Sequence, residues 1–161
     1  MTDMLVKLYT LPELEPVLAR QKAAGVEIRR AMAAEKQVVV NWIAKNFEPG
    51  WASEAEAAFA QQPIACFIAV DKGQLVGFAC HDVTCKNFFG PTGVSDSQRG
   101  RGLGQALLLA CLHAMAGQGY AYAIIGGVGP VEFYAKTVGA VVIEGSDPGI
   151  YQGMLKRDLE Q

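Results

Sequence analysis

No apolar stretch in this 161-residue sequence approaches the ~18 residues of a membrane-spanning helix. The longest, ALLLACL, covers residues 106–112, so no membrane partner is expected. The opening MTDMLVKLYT has no basic flank before a long apolar run, so no signal peptide is expected either, and the reading is cytoplasmic. Histidine and cysteine are scarce. The two histidines, His81 and His113, and the four cysteines, Cys66, Cys80, Cys85 and Cys111, form no C-x-x-C pair and no metal-ligand spacing. Neither a structural metal nor a disulfide framework is expected, and reduced core thiols are the simpler reading. Positive charge is not in surplus: the net charge is -2 and the pI about 5.7. A globally basic nucleic-acid binder is thereby excluded.

What is present is a globular composition, 51% hydrophobic against 19% charged, in a length that suits one domain over residues 1–161. No repeat or linker divides it. The first third reads as helical. LPELEPVLARQKAAG has Gly25 as its stop, and AMAAEKQVVVNWIAKNF repeats Val39, Trp42, Ile43 and Phe47 on one face, although Val38-Val39-Val40 also suits a strand. SEAEAAFA reads as a short helix capped by Ser53. The middle then turns β-like. IACFIAV and LVGFACHDV flank DKGQ as a hairpin, and the first run is apolar on both faces, as a central strand covered on each side would be. NFFGPTGV is a third strand that must bulge or lose pairing at Pro91. A helix from about Gly102 to Ala116, a strand in YAYAII, a helix in GPVEFYAKTVG and closing strands in AVVIEG and IYQGMLKRDL complete the order. That order predicts an α/β fold, a mixed central sheet flanked by helices.

The chemistry concentrates in VSDSQRGRGLGQALLLA, residues 94–110. The loop leaves a strand and enters a helix. The first N–H groups of a helix have no internal partners, and the helix dipole adds positive potential there. Gly100, Gly102 and Gly104 carry no Cβ to keep an anion away, and Arg99 and Arg101 add charge with several donors each. A pyrophosphate fits such a loop. A P-loop is excluded because Gln105 and Ala106, not Lys and Ser or Thr, follow Gly104. A dinucleotide G-x-G-x-x-G is excluded because its last position is Gln105. The competing reading is a tight turn into a core helix, which does not account for three glycines and two arginines.

Arg99-x-x-Gly102-x-Gly104 resembles the [QR]-x-x-G-x-[GA] motif of the GCN5-related N-acetyltransferase (GNAT) family. Gly93-Val94 stands where that family's central strand enters the loop. The helix that follows and EFYAKTVG match the next elements in order. The resemblance runs over about residues 64–144. It implies that Arg99, Gly100, Arg101, Gly102, Leu103 and Gly104 bind the pyrophosphate of acetyl-CoA, and that Thr92, Gly93 and Val94 run beside its pantetheine arm. It also implies that Tyr134 lies near the CoA sulfur as general acid. The residues alone leave a second reading of Tyr134, packing beside Val131 and Val138. Two positions depart from many relatives: Gly127 stands where an asparagine is common, and Gly139-Ala140 where Gly-Phe is.

No general base is legible. His81 and Asp82 end a strand and, being adjacent, point to opposite faces, which reads as a surface pair. Glu48, Glu54, Glu144 and Asp147 read as solvated charges. The resemblance places the acceptor site between the N-terminal helices and the last β-connection, where Trp42, Phe47, Trp51, Glu48, Glu54, Asp147 and Tyr151 occur. Aromatics with scattered carboxylates suit a primary amine with an apolar body, on a small molecule or a peptide. The implied function is acetyl transfer from acetyl-CoA to such an amine by direct attack in a ternary complex, without a metal. The alternatives are a CoA-binding sensor or partner-binding module that keeps the fold without the chemistry, and a nucleotide-binding domain, which the two failed loop motifs oppose. Relatives are often dimers, which leaves a homodimer open.

Overall fold

The computed structural model describes residues 1–156. Seven strands form one mixed sheet: β1 (Met4–Lys7), β2 (Val26–Arg30), β3 (Cys66–Asp71), β4 (Gln74–His81), β5 (Phe88–Val94), β6 (Tyr122–Ile125) and β7 (Val141–Val142), in the order β2-β3-β4-β5-β6-β1-β7. Every pairing is antiparallel except β5 with β6. Five helices flank it: α1 (Glu15–Ala23), α2 (Lys36–Asn46), α3 (Pro49–Ala58), α4 (Leu103–Gly117) and α5 (Val131–Val138). No described helix is long and apolar enough to cross a membrane.

The core has two layers, one on each sheet face, because strand side chains alternate. Cys66, Ile68, Phe78 and Cys80 pack with Val39 and Ile43 of α2 and with Ala52, Ala55 and Ala58 of α3. Ala69 and Ala79 face the other way, toward α4, where Leu103, Leu107, Leu108, Leu109 and Leu112 are all buried. A helix apolar on every side is one enclosed on every side. Burying each of these leucines stabilises by about 1.5–3 kcal/mol. Gly77 makes room for α4, since a Cβ there would stand 3.0 Å from Leu107 Cδ1.

The structure corrects several expectations. The helical first third also contains β1 and β2; in β2, Val26 is buried between an exposed Gly25 and an exposed Glu27, a strand's alternation in only five residues. α3 begins at Pro49, so Ser53 is not its cap. The Ser53 hydroxyl instead donates back to Pro49 O inside the helix, at 3.4 Å. The expected strand in AVVIEG shrinks to Val141–Val142. In IYQGMLKRDL, the chain over Gly149–Tyr151 is a 3-10 turn, and residues 157–159 lie outside the described residues.

Candidate active site

The sheet opens at its one parallel seam. β5 and β6 pair only at Phe88–Ile124 and Phe89–Ile125. Pro91 has no N–H to give, and β5 carries one extra residue there: Phe89 stands opposite His81, but Thr92 already stands opposite Ala79. Beyond this bulge β5 stays with β4 and leaves β6. The Ser95 amide donates to Val76 O at 2.9 Å, which fixes the ladder's alternation. Gly77–Val94 and Ala79–Thr92 are therefore the non-hydrogen-bonded pairs, and the backbone N–H and C=O groups of Thr92 and Val94 point away from β4 into the gap.

A cleft of about 1500 Å³ fills that gap. Its walls include Thr92, Gly93 and Val94, the loop residues Arg99, Gly100 and Gly102, Leu103 and Gly104 of α4, the Gly126–Pro130 turn, and Tyr134 of α5. The sequence-predicted donor residues thus meet in one place, with a single exception. The Arg101 guanidinium turns away from the cleft to Asp71 at 2.8 Å and also donates to Gln98 Oε1 and Ala24 O. It has the structural duty that the sequence reading denied it, and its side chain braces the loop. Arg99 remains at the rim, mostly exposed, with only the exposed Asp96 beside it.

The loop is held from a distance. Gln21 of α1, 5% exposed, donates from Nε2 to Arg101 O at 2.7 Å. Gly100 and Gly102 have φ of +83° and +77°, the left-handed region that glycine adopts without strain. The consequence is a row of amides. Among the described residues, no N–H from Gly100 through Gln105 donates to a protein acceptor, and the first capping bond runs from Ala106 N to Gly102 O. These orphan donors, at the positive end of the fifteen-residue α4, suit an anion with several oxygens.

Tyr134 is 6% exposed, packed edge-on to Phe89 and Phe133, and its phenol is pushed up to about 12 by burial. It stays protonated at neutral pH and so has a proton to give. Another stretch of the cleft wall is acidic and aromatic: Glu48, Trp51, Glu54, Asp147 and Tyr151 line it, Arg99 is the only Lys or Arg among the described lining residues, and the Met1 ammonium, which also lines it, pairs with Asp147 at 2.9 Å. Trp42 and Phe47 stand behind this wall, where Phe47 stacks on Trp51 at 5.4 Å and meets Phe78 at 5.7 Å. Glu144 is not among the lining residues.

His81 and Asp82 are not a surface pair. His81 is fully buried, its Nδ1 2.6 Å from Asp82 Oδ2, and Asp82 Oδ1 accepts the Asn87 amide at 2.7 Å. Burial lowers the imidazole's affinity for a proton, with Asp82 opposing. Neither residue lines the cleft; Asp82 borders a separate hollow. Three contributors went unread in the sequence. Gln21 reaches the loop across 80 positions, which no local pattern signals. Asp3, 6% exposed, accepts the Gly127 amide at 2.8 Å while its own amide donates to Ser146 Oγ, so the residue just before β1 anchors both the turn and the closing loop. Thr84 donates to Glu54 Oε1 at 2.8 Å.

Residues 36–140 match the model of the Acetyltransferase (GNAT) family. No curated protein matches the sequence. Among solved structures, the chain is similar to the glucosamine N-acetyltransferase region of a fungal multi-domain GH3 beta-N-acetylglucosaminidase (14% identity, TM-score 0.72, 88% of this chain and 19% of that one). It is similar to a GCN5-related N-acetyltransferase from Sphaerobacter thermophilus (17% identity, TM-score 0.62, 88% of this chain and 48% of that one). A third is an aminoglycoside acetyltransferase from an uncultured soil metagenomic sample, in complex with trehalose (15% identity, TM-score 0.53, 71% and 88%). The chain spans less than half the length of the first two. At these identities the likeness is one of fold.

Proposed function

Since the chain belongs to the acetyltransferase (GNAT) family, we propose that residues 1–161 act as one N-acetyltransferase domain that moves an acetyl group from acetyl-CoA to a primary amine on a small molecule or peptide. The observation that carries this reading is the row of unpartnered amides from Gly100 to Gln105, at the mouth of a cleft with an open strand edge along one wall. The residues fit the donor. The amides and Arg99 would hold its pyrophosphate, each charge-assisted bond contributing about 1.5–3 kcal/mol. The edge groups of Thr92 and Val94 would pair with the amides of the pantetheine arm as a neighbouring strand would. When bound, the donor supplies a thioester carbonyl as the electrophile.

The protein supplies position and protons. An ammonium group and a thioester yield an amide, a thiol and one released proton. Tyr134, protonated and buried in the cleft wall, gives a proton to the departing sulfur. The acidic end attracts a cationic acceptor, and Trp51 and Tyr151 offer it apolar surface. The test is thiol release from acetyl-CoA with amines, amino acids, polyamines, aminoglycosides and peptide N-termini, beside direct CoA titration. Amine-dependent release is expected. Tight CoA binding without turnover across the panel would make the domain a CoA-binding module, and no CoA binding would end both readings.

A further inference from the structure

The acceptor end holds three carboxylates, and they are not alike. Glu48 and Asp147 are exposed. Glu54 is half-buried on α3, beside the packed face formed by Ala52, Ala55 and Ala58. Thr84 fixes one of its oxygens at 2.8 Å, and the other, Oε2, has no hydrogen-bond partner among the described residues. No Lys, Arg or His lies within ion-pair distance of it among those residues. Its ionisable neighbours are Tyr151 from the closing loop and Cys80 from β4, neither of which is cationic. A half-buried carboxylate without a counter-ion is costly and gains by meeting a cation or a proton. Glu35 shows the contrast: two bonds from Arg29 hold it as an anion.

We propose that Glu54 receives the acceptor's ammonium group and takes its proton, so that α3 supplies the general base of the acetyl transfer. The assignment rests on the acyltransferase reading above. In this step one N–H bond of the ammonium breaks, its electron pair stays on nitrogen, and the proton forms an O–H bond on Glu54 Oε2. The freed pair then attacks the acyl carbon, the C–S bond breaks, and the sulfur takes its proton from Tyr134. Of the nitrogen's surplus proton and the one on Glu54, one restores the Tyr134 phenol and the other leaves to water, which balances the reaction with the single released proton. Burial raises the proton affinity of the Glu54 carboxylate, against the bond from Thr84, and a carboxylate that holds a proton more firmly is a better base.

The experiment measures kcat/KM for the best amine of the panel from pH 5 to 9, with CoA Kd in parallel. It compares the unaltered protein with Glu54→Gln, which can still accept the Thr84 bond, and with Thr84→Val, which keeps the carboxylate. Glu54→Gln should lose roughly 10²–10⁴-fold in kcat/KM, lose the acidic limb of the profile, and bind CoA within about twofold of the original, well inside one decade or 1.4 kcal/mol. Thr84→Val should move the acidic limb to higher pH, because a bond that favours the charged carboxylate is gone. Full rate with an unchanged limb in Glu54→Gln would overturn the assignment and leave the acyltransferase reading standing. Loss of rate together with CoA affinity would mark a structural role and overturn it too. CoA binding without turnover in the unaltered protein would overturn both.

Discussion

Gly102→Ala tests the loop most directly, because its cost can be worked out before the experiment. The added Cβ meets a φ of +77°, where an L-residue loses about 1–2 kcal/mol. It also stands 3.2 Å from Gln21 Nε2, the donor that holds Arg101 O, so the brace must shift. Weakening that hydrogen bond adds about 0.5–1.5 kcal/mol. If the loop keeps its shape, the sum of roughly 1.5–3.5 kcal/mol appears as lost stability. If the loop relaxes instead, the amide row is misplaced and CoA affinity falls by about tenfold for each 1.4 kcal/mol. The neighbouring glycines are internal controls. At Gly100, φ is +83° with nothing within 4 Å of an added Cβ, so Gly100→Ala should show the backbone strain alone. Gly104 lies inside α4 with only Phe133 Cζ, 4.0 Å away, so Gly104→Ala should gain up to about 1 kcal/mol of helix propensity, the opposite sign to Gly102→Ala. Urea denaturation and CoA titration on the three variants supply the assay. Equal behaviour of all three, or a Gly102→Ala protein with unaltered stability and CoA affinity, would refute the reasoning.

Tyr134→Phe should lower turnover about 10²-fold, the low end for a general acid because a phenol near 12 is a weak one, while CoA affinity holds; a fall in affinity of the same size would make it a packing residue. Gly93→Ala should cost about 1–3 kcal/mol, since its Cβ would stand 2.5 Å from Phe47 Cζ and that ring is boxed in by Trp42, Trp51 and Phe78. Adding Phe47→Leu should recover part of the loss in thermal denaturation. Arg29 holds the Glu35 carboxyl down at about 2, so its contribution, about 1 kcal/mol after solvent screening, is present above the ordinary carboxylate range and disappears as pH falls from about 4.5 to about 2. Stability of Glu35→Gln measured over the same interval should fall less steeply than that of the original protein.

Much of the fold was legible because its signals are local. Gly73 with φ of +74° in the β3–β4 turn, the enclosed leucines of α4, and Gly139 with φ of +66° at the end of α5 each declare themselves within a few residues. The bulge at Pro91 follows from one missing N–H. β1 and β2 were lost because four or five residues of alternation between helical stretches carry little periodicity. The loop that lines the cleft was legible for the same reason as the fold: its alternating glycines stand close together in sequence. Roles set by distant partners were not. Arg101 and Arg99 look equivalent in the sequence, and the partners that separate them include Asp71, 30 positions earlier, and Ala24, 77 positions earlier. Glu54 reads as a solvated charge until Thr84 and the wall of the cleft are placed around it.

The seam between β5 and β6 has a mechanical consequence. The sheet is in effect two ribbons, β2 to β5 and β6-β1-β7, stitched along their strand edges by two residue pairs, with α4 laid across the join. A molecule that hydrogen-bonds to Thr92 and Val94 acts as the missing strand between them. Cargo and scaffold then share one set of bonds. With that place filled, the two ribbons would be joined along a longer seam than the two residue pairs alone provide.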